Sequence, residues 1–373
     1  MKKIKVFLRL SQVANCGVGY YRQYLPLKKL EEKGLIELKV MDYNGGKEEI
    51  KEPFQVQFSP DRRKIIDVKY NTPFFKQYLE WADIVYMCRD ESPGFLAVMG
   101  GARQFFKKPF LADIDDYVQF TRPHNPGYLS FNPYSVFNDL NFCLLNNVDG
   151  ITVSTEYLKE VYKNENKKIF VCPNSIDVKM RDKVLNTPPQ IKKKKDEIRI
   201  GWAGSSCHYE NLKQLINPLR KILAEFPNTT FHYTGLFGDL FNWPEFKGRI
   251  ETVKFVNLDD WPKKLKGMGL DIALAPLCDN HFNRAKSNLR VLEYWSAKYP
   301  VIASPILPYK FIKNGKDGLL AMEENEWYDA IKSLVLDEKK RNSLAEKGYE
   351  RLNKEFNIDK NCLIWYKAFR KFI

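Results

Sequence analysis

Short strand-like runs alternate with amphipathic ones along this chain; the alternation breaks once and then begins again. The first series comprises KIKVFLRL (3–10), the helical GYYRQYLPLKKLEEKG, then IELKVMDY (36–43), ADIVYMCR (82–89), KPFLADID (108–115) and GITVST (150–155). Between 176 and 196 the period dissolves into a stretch with two prolines and the lysine run Lys192 to Lys195. The second series comprises IRIGWAG (198–204), ENLKQLINPLRKILAEFP, TTFHYTG (229–235), ETVKFVN (251–257), LDIALAPL (270–277) and PVIASPI (300–306). Strands alternating with helices build parallel βαβ units. Two such series predict an α/β chain of two Rossmann-like domains, residues 1–175 and 197–354, joined by a linker over 176–196. The last segment, 355–373, is helical in pattern and aromatic, so it needs an apolar surface to lie against. Doubly wound domains bind ligands in the crevice at the carboxyl ends of their strands.

Size and composition agree with two cores. A chain of 373 residues exceeds what one core usually serves. With 44% apolar residues but no window of 18 or more uninterrupted apolar ones, a membrane span is not expected. The start, MKKIKVFLRL, is broken by Lys5 and Arg9 and reads as a first strand rather than a secretion signal, which implies a cytoplasmic protein. Seven scattered cysteines without a CxxC pair suggest reduced thiols, with neither a zinc site nor a disulfide framework. The net charge of +14 favours polyanionic partners, whether nucleic acid, anionic lipid or a phosphorylated substrate.

Four loops at strand ends carry the candidate chemistry. After LDIALAPL, the loop CDNHFNRAKSN leads into the helical SNLRVLEYWSAK, with Ser287 or Asn288 suited to the N-cap. The free amides there, with Arg284 and Lys286 just ahead, make an anion site, most naturally for a phosphate. Glu293, about a turn and a half inside that helix, serves either as an acceptor for vicinal hydroxyls such as a ribose diol or as a surface partner of Lys298 or Arg290. A second loop, after IRIGWAG, has small residues Gly204, Ser205 and Ser206 that let backbone amides approach a ligand, with His208 where a helix begins. A third, CGVGYYRQ, places Gly17 and Gly19 after the first strand. It departs from G-x-G-x-x-G because Arg22 stands at the third glycine, and it reads equally as an ordinary βα turn. The fourth, DIDDYVQFTRPHNPGY, supplies Asp113, Asp115 and Asp116, then His124. Clustered acids there can hold an acceptor hydroxyl, bind a divalent cation or cap the next segment.

GWAGSSCHYENL, DIALAPLCDNHFNRAKSNLRVLEYWSAKYPVIASPI and NGKDGLLAMEENEWYDAIKSL, in this order, resemble the second domain of GT-B glycosyltransferases of family 4. CGVGYYRQYLP with DIDDY resembles the first domain of their bacterial and phage-encoded members. The resemblance implies two domains facing across a crevice, a nucleotide sugar (UDP- or GDP-linked) held mainly by the second, an acceptor held mainly by the first, and a final helix crossing back to the first. It also implies retention of anomeric configuration, with a donor phosphate oxygen taking the acceptor's proton. Glu293 matches the family's ribose-binding glutamate, the second of an E-x7-E pair. The chain departs from the pattern at Ala285, where the first glutamate would fall, and at Ser205, where an arginine would. His208 lies near the expected lysine. Lys286, with Arg284 and the amides of Ser287 and Asn288, then replaces the missing cations and stabilises the leaving diphosphate, without a metal or further cofactor. Asp116 and His124 are the candidates for a protein base.

The resulting expectation is a cytoplasmic glycosyltransferase, free or peripheral at the inner membrane face, acting on a glycan or lipid-linked acceptor. Two other readings fit the charge and the departures. One is a DNA glycosyltransferase acting on a modified base, and the other a nucleotide-sugar-binding protein that has lost transfer.

Overall fold

The structure, a computed structural model, describes residues 2–10, 17–41, 55–61, 64–69, 73–89, 96, 99–100, 102–125, 127–132, 134–235, 237–254 and 256–373. The part of the first βα loop at 11–16 lies outside them. Two six-stranded sheets, each wholly parallel, carry the fold. The first contains β1 (Ile4–Arg9) and β2 (Ile36–Met41); a separate antiparallel hairpin follows, β3 (Gln55–Phe58) with β4 (Ile65–Lys69). The sheet continues with β5 (Ile84–Cys88), β6 (Phe110–Ile114), β7 (Gly150–Val153) and β8 (Ile169–Val171), in the order β2-β1-β5-β6-β7-β8. The second contains β9 (Ile198–Trp202), β10 (Thr229–Thr234), β11 (Ile250–Val253), β12 (Ile272–Ala275), β13 (Val301–Ala303) and β14 (Leu319–Leu320), in the order β11-β10-β9-β12-β13-β14. Successive strands step one way from β9 to β11 and the other way from β12 to β14. The loops after β9 and β12 therefore diverge, which is where sheets of this kind hold ligands.

Each sheet buries an apolar layer of its own. Phe7, Val85 and Leu144 belong to the first domain's cluster; Trp202, Phe231, Leu274 and Trp327 belong to the second's. A third cluster draws on both domains and takes in Ile358, Cys362, Trp365 and Phe369 of the closing helix Ile358–Phe369. Burying one such side chain contributes roughly 1.5–3 kcal/mol, so this helix is held firmly although only 12 residues long. It lies against helix Leu25–Glu32 of the first domain, and Trp365 Nε1 donates to Tyr86 Oη at 3.1 Å.

Helix Leu25–Glu32 is entered through a π-helical turn, Gly19–Tyr24. Pro26 has no N–H to give the carbonyl of Arg22, four residues back, and a wider turn relieves the mismatch. The turn delivers Arg22 into the interior, where its guanidinium forks onto Asp113, Nη2 to Oδ1 at 2.8 Å and Nε to Oδ2 at 3.1 Å. Both side chains are at most 1% exposed. Asp113 also accepts from Thr152 Oγ1 (2.6 Å) and Tyr86 Oη (3.1 Å), and Arg22 gives further bonds to Asn174 Oδ1 and the Cys172 carbonyl.

The segment expected to be the linker, 176–196, opens with a short helix and continues in turns. Helix Val178–Asp182 buries Arg181, and Lys193 pairs with Asp271 at 2.6 Å. Periodicity could not show this, because a five-residue helix is too short to display one. Ile176 bonds to the chain entering the closing helix: its N–H donates to Phe356 O (2.8 Å), and its carbonyl accepts from Ile358 N (3.0 Å). Among the described residues no helix is long and apolar enough to cross a membrane.

Candidate active site

A crevice of about 310 Å3 opens between the domains at the carboxyl ends of the strands. The first domain lines it with Gly17, Val18, Tyr21, Arg22, Asp115 and Asp116, and the second with Ser205, His208, Lys286, Ser287, Arg290 and Glu293 among others. Asn174 bridges the two, accepting from Arg22 and donating from Nδ2 to Ser287 Oγ at 2.8 Å.

Arg290 is the residue that sequence reasoning missed. Its guanidinium lies 4.8 Å from the centre of the Trp202 ring and passes over Gly204, where a Cβ would stand 2.5 Å from Nη1. A side chain at 204 would evict it, so the glycine serves the arginine. No carboxylate pairs with Arg290 among the described residues. Helix Leu289–Ser296 thus brings a cation to the side of the loop where Ser205 stands in place of the arginine of the resembling family. The sequence signal was Gly204 itself, read as room for a ligand when it is room for a side chain.

His208 is buried beside Arg290. Burial first, then the charges of Arg290 and Lys286, hold its imidazole well below the usual range, so it is neutral. Its Nδ1 lies 3.0 Å from Asn211 Nδ2 and its Nε2 lies 3.1 Å from Arg290 Nη2. Asn211 Oδ1 already accepts from the Cys278 N–H and from Asn283 Nδ2, so its amide nitrogen must face the ring. Nδ1 is then the acceptor and Nε2 carries the proton. Nε2–H and the guanidinium are two donors side by side, an arrangement that an anion between them would relieve.

Glu293 lines the crevice rather than the outer surface. Its Oε1 accepts from Tyr21 Oη and Trp261 Nε1, both at 2.9 Å, and Arg181 stands 3.7 Å away, itself donating to Tyr21 Oη. Oε2 has no protein partner among the described residues. A carboxylate clamped through one oxygen presents the other in a fixed direction, which suits a diol.

Lys286 reaches across to Asp116, Nζ to Oδ1 at 3.1 Å, over the Phe282 ring. Although burial opposes it, the carboxylates of Asp116 and Asp115 leave the ammonium pKa raised, so it stays charged. Asp115 lines the crevice beside Asp116. Desolvation first, then Asp116 and Asp113, push its carboxyl up to about 7.

Two expected residues are corrected. Arg284 is not among the described residues lining the crevice; it forks onto Asp279 at 2.6 and 2.9 Å in an exposed ion pair on the five-residue helix His281–Ala285. Its own neighbour satisfies it before a phosphate could. His124 is likewise outside that lining, half exposed, 3.9 Å from Glu210 Oε1 and against the Tyr209 ring. With Arg122, which reaches Glu210 Oε2 at 3.1 Å, it ties one domain to the other. Gly19 lies within the π turn, and Ser206 opens the turn Ser206–His208. Asn288 is the N-cap residue of Leu289–Ser296 without a side-chain bond, while Ser287 Oγ accepts weakly from Leu289 N at 3.4 Å.

The surroundings of Ala285 account for an alanine where the resembling family has a glutamate. It is fully buried in the first domain's apolar cluster, and its carbonyl accepts from Thr155 Oγ1 at 3.3 Å. A glutamate here would strand a carboxylate between domains. Ala285→Glu is expected to destabilise by roughly 3–5 kcal/mol, as an uncompensated buried charge does, measured as a lower midpoint of thermal unfolding. An unchanged midpoint would mean that the longer side chain reaches the crevice.

The solved structures that share this architecture include sucrose-phosphate synthase from Thermosynechococcus elongatus (16% identity, TM-score 0.64, 99% of each chain covered). The HepE protein of Anabaena, with UDP and glucose bound, matches at 14% identity and TM-score 0.63 over 98% of this chain and 99% of its own. A glycosyltransferase from Rickettsia africae matches at 14% identity and TM-score 0.64 over 100% of this chain and 99% of its own.

The chain has the GT-B fold.

Residues 212–362 of this GT-B chain match a family model described as glycosyl transferase-like. No curated protein matches the sequence. The matched segment includes Lys286, Arg290 and Glu293, so part of the second domain's side of the GT-B crevice falls inside it, whereas Ser205, His208 and the first-domain wall fall outside.

Proposed function

We propose that this protein is a glycosyltransferase moving a sugar from a nucleoside diphosphate sugar, UDP- or GDP-linked, to a hydroxyl of a glycan-type acceptor. The observation that carries the reading is the convergence of Arg290, Lys286 and His208 Nε2–H on one wall of the crevice, two cations and a neutral donor where a doubly wound sheet holds phosphates. In transfer from a nucleotide sugar the departing diphosphate gains negative charge. Donors fixed in a water-poor crevice stabilise that charge without having to reorganise as it forms. Lys286 exchanges Asp116 for phosphate when the donor arrives, Arg290 and His208 bind a second oxygen, and Glu293 Oε2 takes the ribose diol. Retention at the anomeric carbon belongs to the same reading.

A thermal-shift series with UDP, UDP-glucose, GDP, GDP-mannose and ADP tests it. A ligand that binds only the native state raises the unfolding midpoint, so at least one diphosphate should do so. No shift with any of them would overturn the proposal. Glu293→Gln should weaken the preferred nucleotide by about tenfold, since replacing a charged acceptor by a neutral one forfeits on the order of 1.4 kcal/mol. Calorimetry on the variant would read this directly, and an unchanged dissociation constant would remove Glu293 from the site.

A further inference from the structure

We infer that Tyr21 of the first domain is a positioning residue for Glu293 of the second, so that recognition of the nucleotide's ribose depends on both domains. The inference rests on the transferase reading above and deepens it at the ribose.

The neighbours of Glu293 Oε1 come from three stretches of the chain. Trp261 Nε1, a donor at 2.9 Å, belongs to Glu293's own domain. Tyr21 Oη, also at 2.9 Å, comes from the π turn of the first domain. Arg181 comes from helix Val178–Asp182 in the connecting segment; it stands 3.7 Å from the same carboxylate oxygen and donates to the phenol oxygen of Tyr21. Tyr21 and Arg181 are each 2% exposed, so water competes little for these contacts. The direction of the hydrogen bonds follows from the groups themselves. A guanidinium has only hydrogens to give, so Tyr21 Oη accepts from Arg181, and its single hydrogen goes to the carboxylate. Burial first, and the charge of Glu293 with it, hold the phenol well above its ordinary range although Arg181 opposes them, so that hydrogen stays in place.

One donor fixes a point on a carboxylate; a second fixes its direction. With Trp261 alone, the Glu293 carboxylate could turn about that bond, and a diol would have to arrest it on binding. With Tyr21 added, the ordering is done before the nucleotide arrives, and Oε2 is aimed into the crevice. Because the second donor belongs to the other domain, the aim is kept only while the domains are together. A nucleotide with both ribose hydroxyls therefore favours the closed arrangement more than one without them, through its differential affinity for the two arrangements. A tyrosine that merely filled space would act on the whole nucleotide; a positioning residue acts on the diol.

Calorimetry on the full chain with UDP, GDP and ADP, each beside its 2′,3′-dideoxy counterpart, separates these roles. For the base that binds best, the wild type should prefer the ribose form by about tenfold. Tyr21→Phe, which keeps the ring and removes only the oxygen, should weaken the ribose form by about 3–10-fold and leave the dideoxy form within about twofold. In a Glu293→Ala background the same change should cost the ribose form nothing further, since the carboxylate it positions is gone. Equal weakening of both forms, an unchanged affinity for the ribose form, or simple additivity of the two substitutions would each overturn the inference. Equal binding of the two forms by the wild type overturns it too while leaving the transferase reading in place, whereas binding of none of the diphosphates overturns that reading itself.

Discussion

Arg290→Ala is expected to lower transfer by about 10²–10³-fold, the usual consequence of removing one preorganised donor from a developing anion. Among the described residues no carboxylate neutralises Arg290, so its removal breaks no ion pair there. Lysine at 290 should recover only part of the loss, because the ammonium lacks the planar fork that spans two phosphate oxygens. Gly204→Ala should also lower transfer without removing a charge, since its methyl would crowd both the guanidinium, 2.5 Å away, and the Trp202 ring, 2.7 Å away. Steady-state kinetics and nucleotide affinity for the three variants give a clear outcome. Full activity in Arg290→Ala would move the diphosphate elsewhere in the crevice.

Asp113→Ala is expected to cost roughly 3–5 kcal/mol of stability, because it strands the charge of Arg22 in the interior. For a domain of this size that is a fall of on the order of 10 °C in unfolding midpoint. Arg22→Met together with Asp113→Ala should lose less than the single change, since a buried pair removed as a whole leaves no unpaired ion. A loss equal to or larger than the single variant's would show that the two side chains are not coupled. The arrangement also connects stability to the site, because Arg22 holds Asn174, and Asn174 holds Ser287 across the crevice.

The repeating strands were legible because each of the ten long runs is a parallel strand, buried almost throughout except at the edges Ile36–Met41 and Ile250–Val253, and KPFLADID or LDIALAPL can hardly be anything else. The strands Ile169–Val171 and Leu319–Leu320 were not, being three and two residues long at sheet edges. At the crevice, Glu293, Lys286 and Asp116 could be picked out from their places relative to strand ends. Arg284 and Arg290 could not be told apart that way. The difference lies in Asp279, which captures Arg284, and in the missing Cβ of Gly204, which admits Arg290. Both are facts of three-dimensional proximity that spacing along the chain does not encode. The proton position on His208 is subtler still, since it depends on Asn211, whose orientation depends in turn on one backbone N–H.

The pairing of Ile176 with the chain at Phe356 to Ile358 has a mechanical meaning. The polypeptide passes between the two halves of the molecule twice, once on the way out and once on the way back, and the two passages run side by side, bonded to each other. They act as one joint. A swing of one half against the other must turn on that edge, as a door turns on its hinge, and cannot be an independent slide. Asn174 sits two residues from the joint, whereas the Arg122–Glu210 and Lys286–Asp116 ties lie away from it and would have to part for the crevice to open.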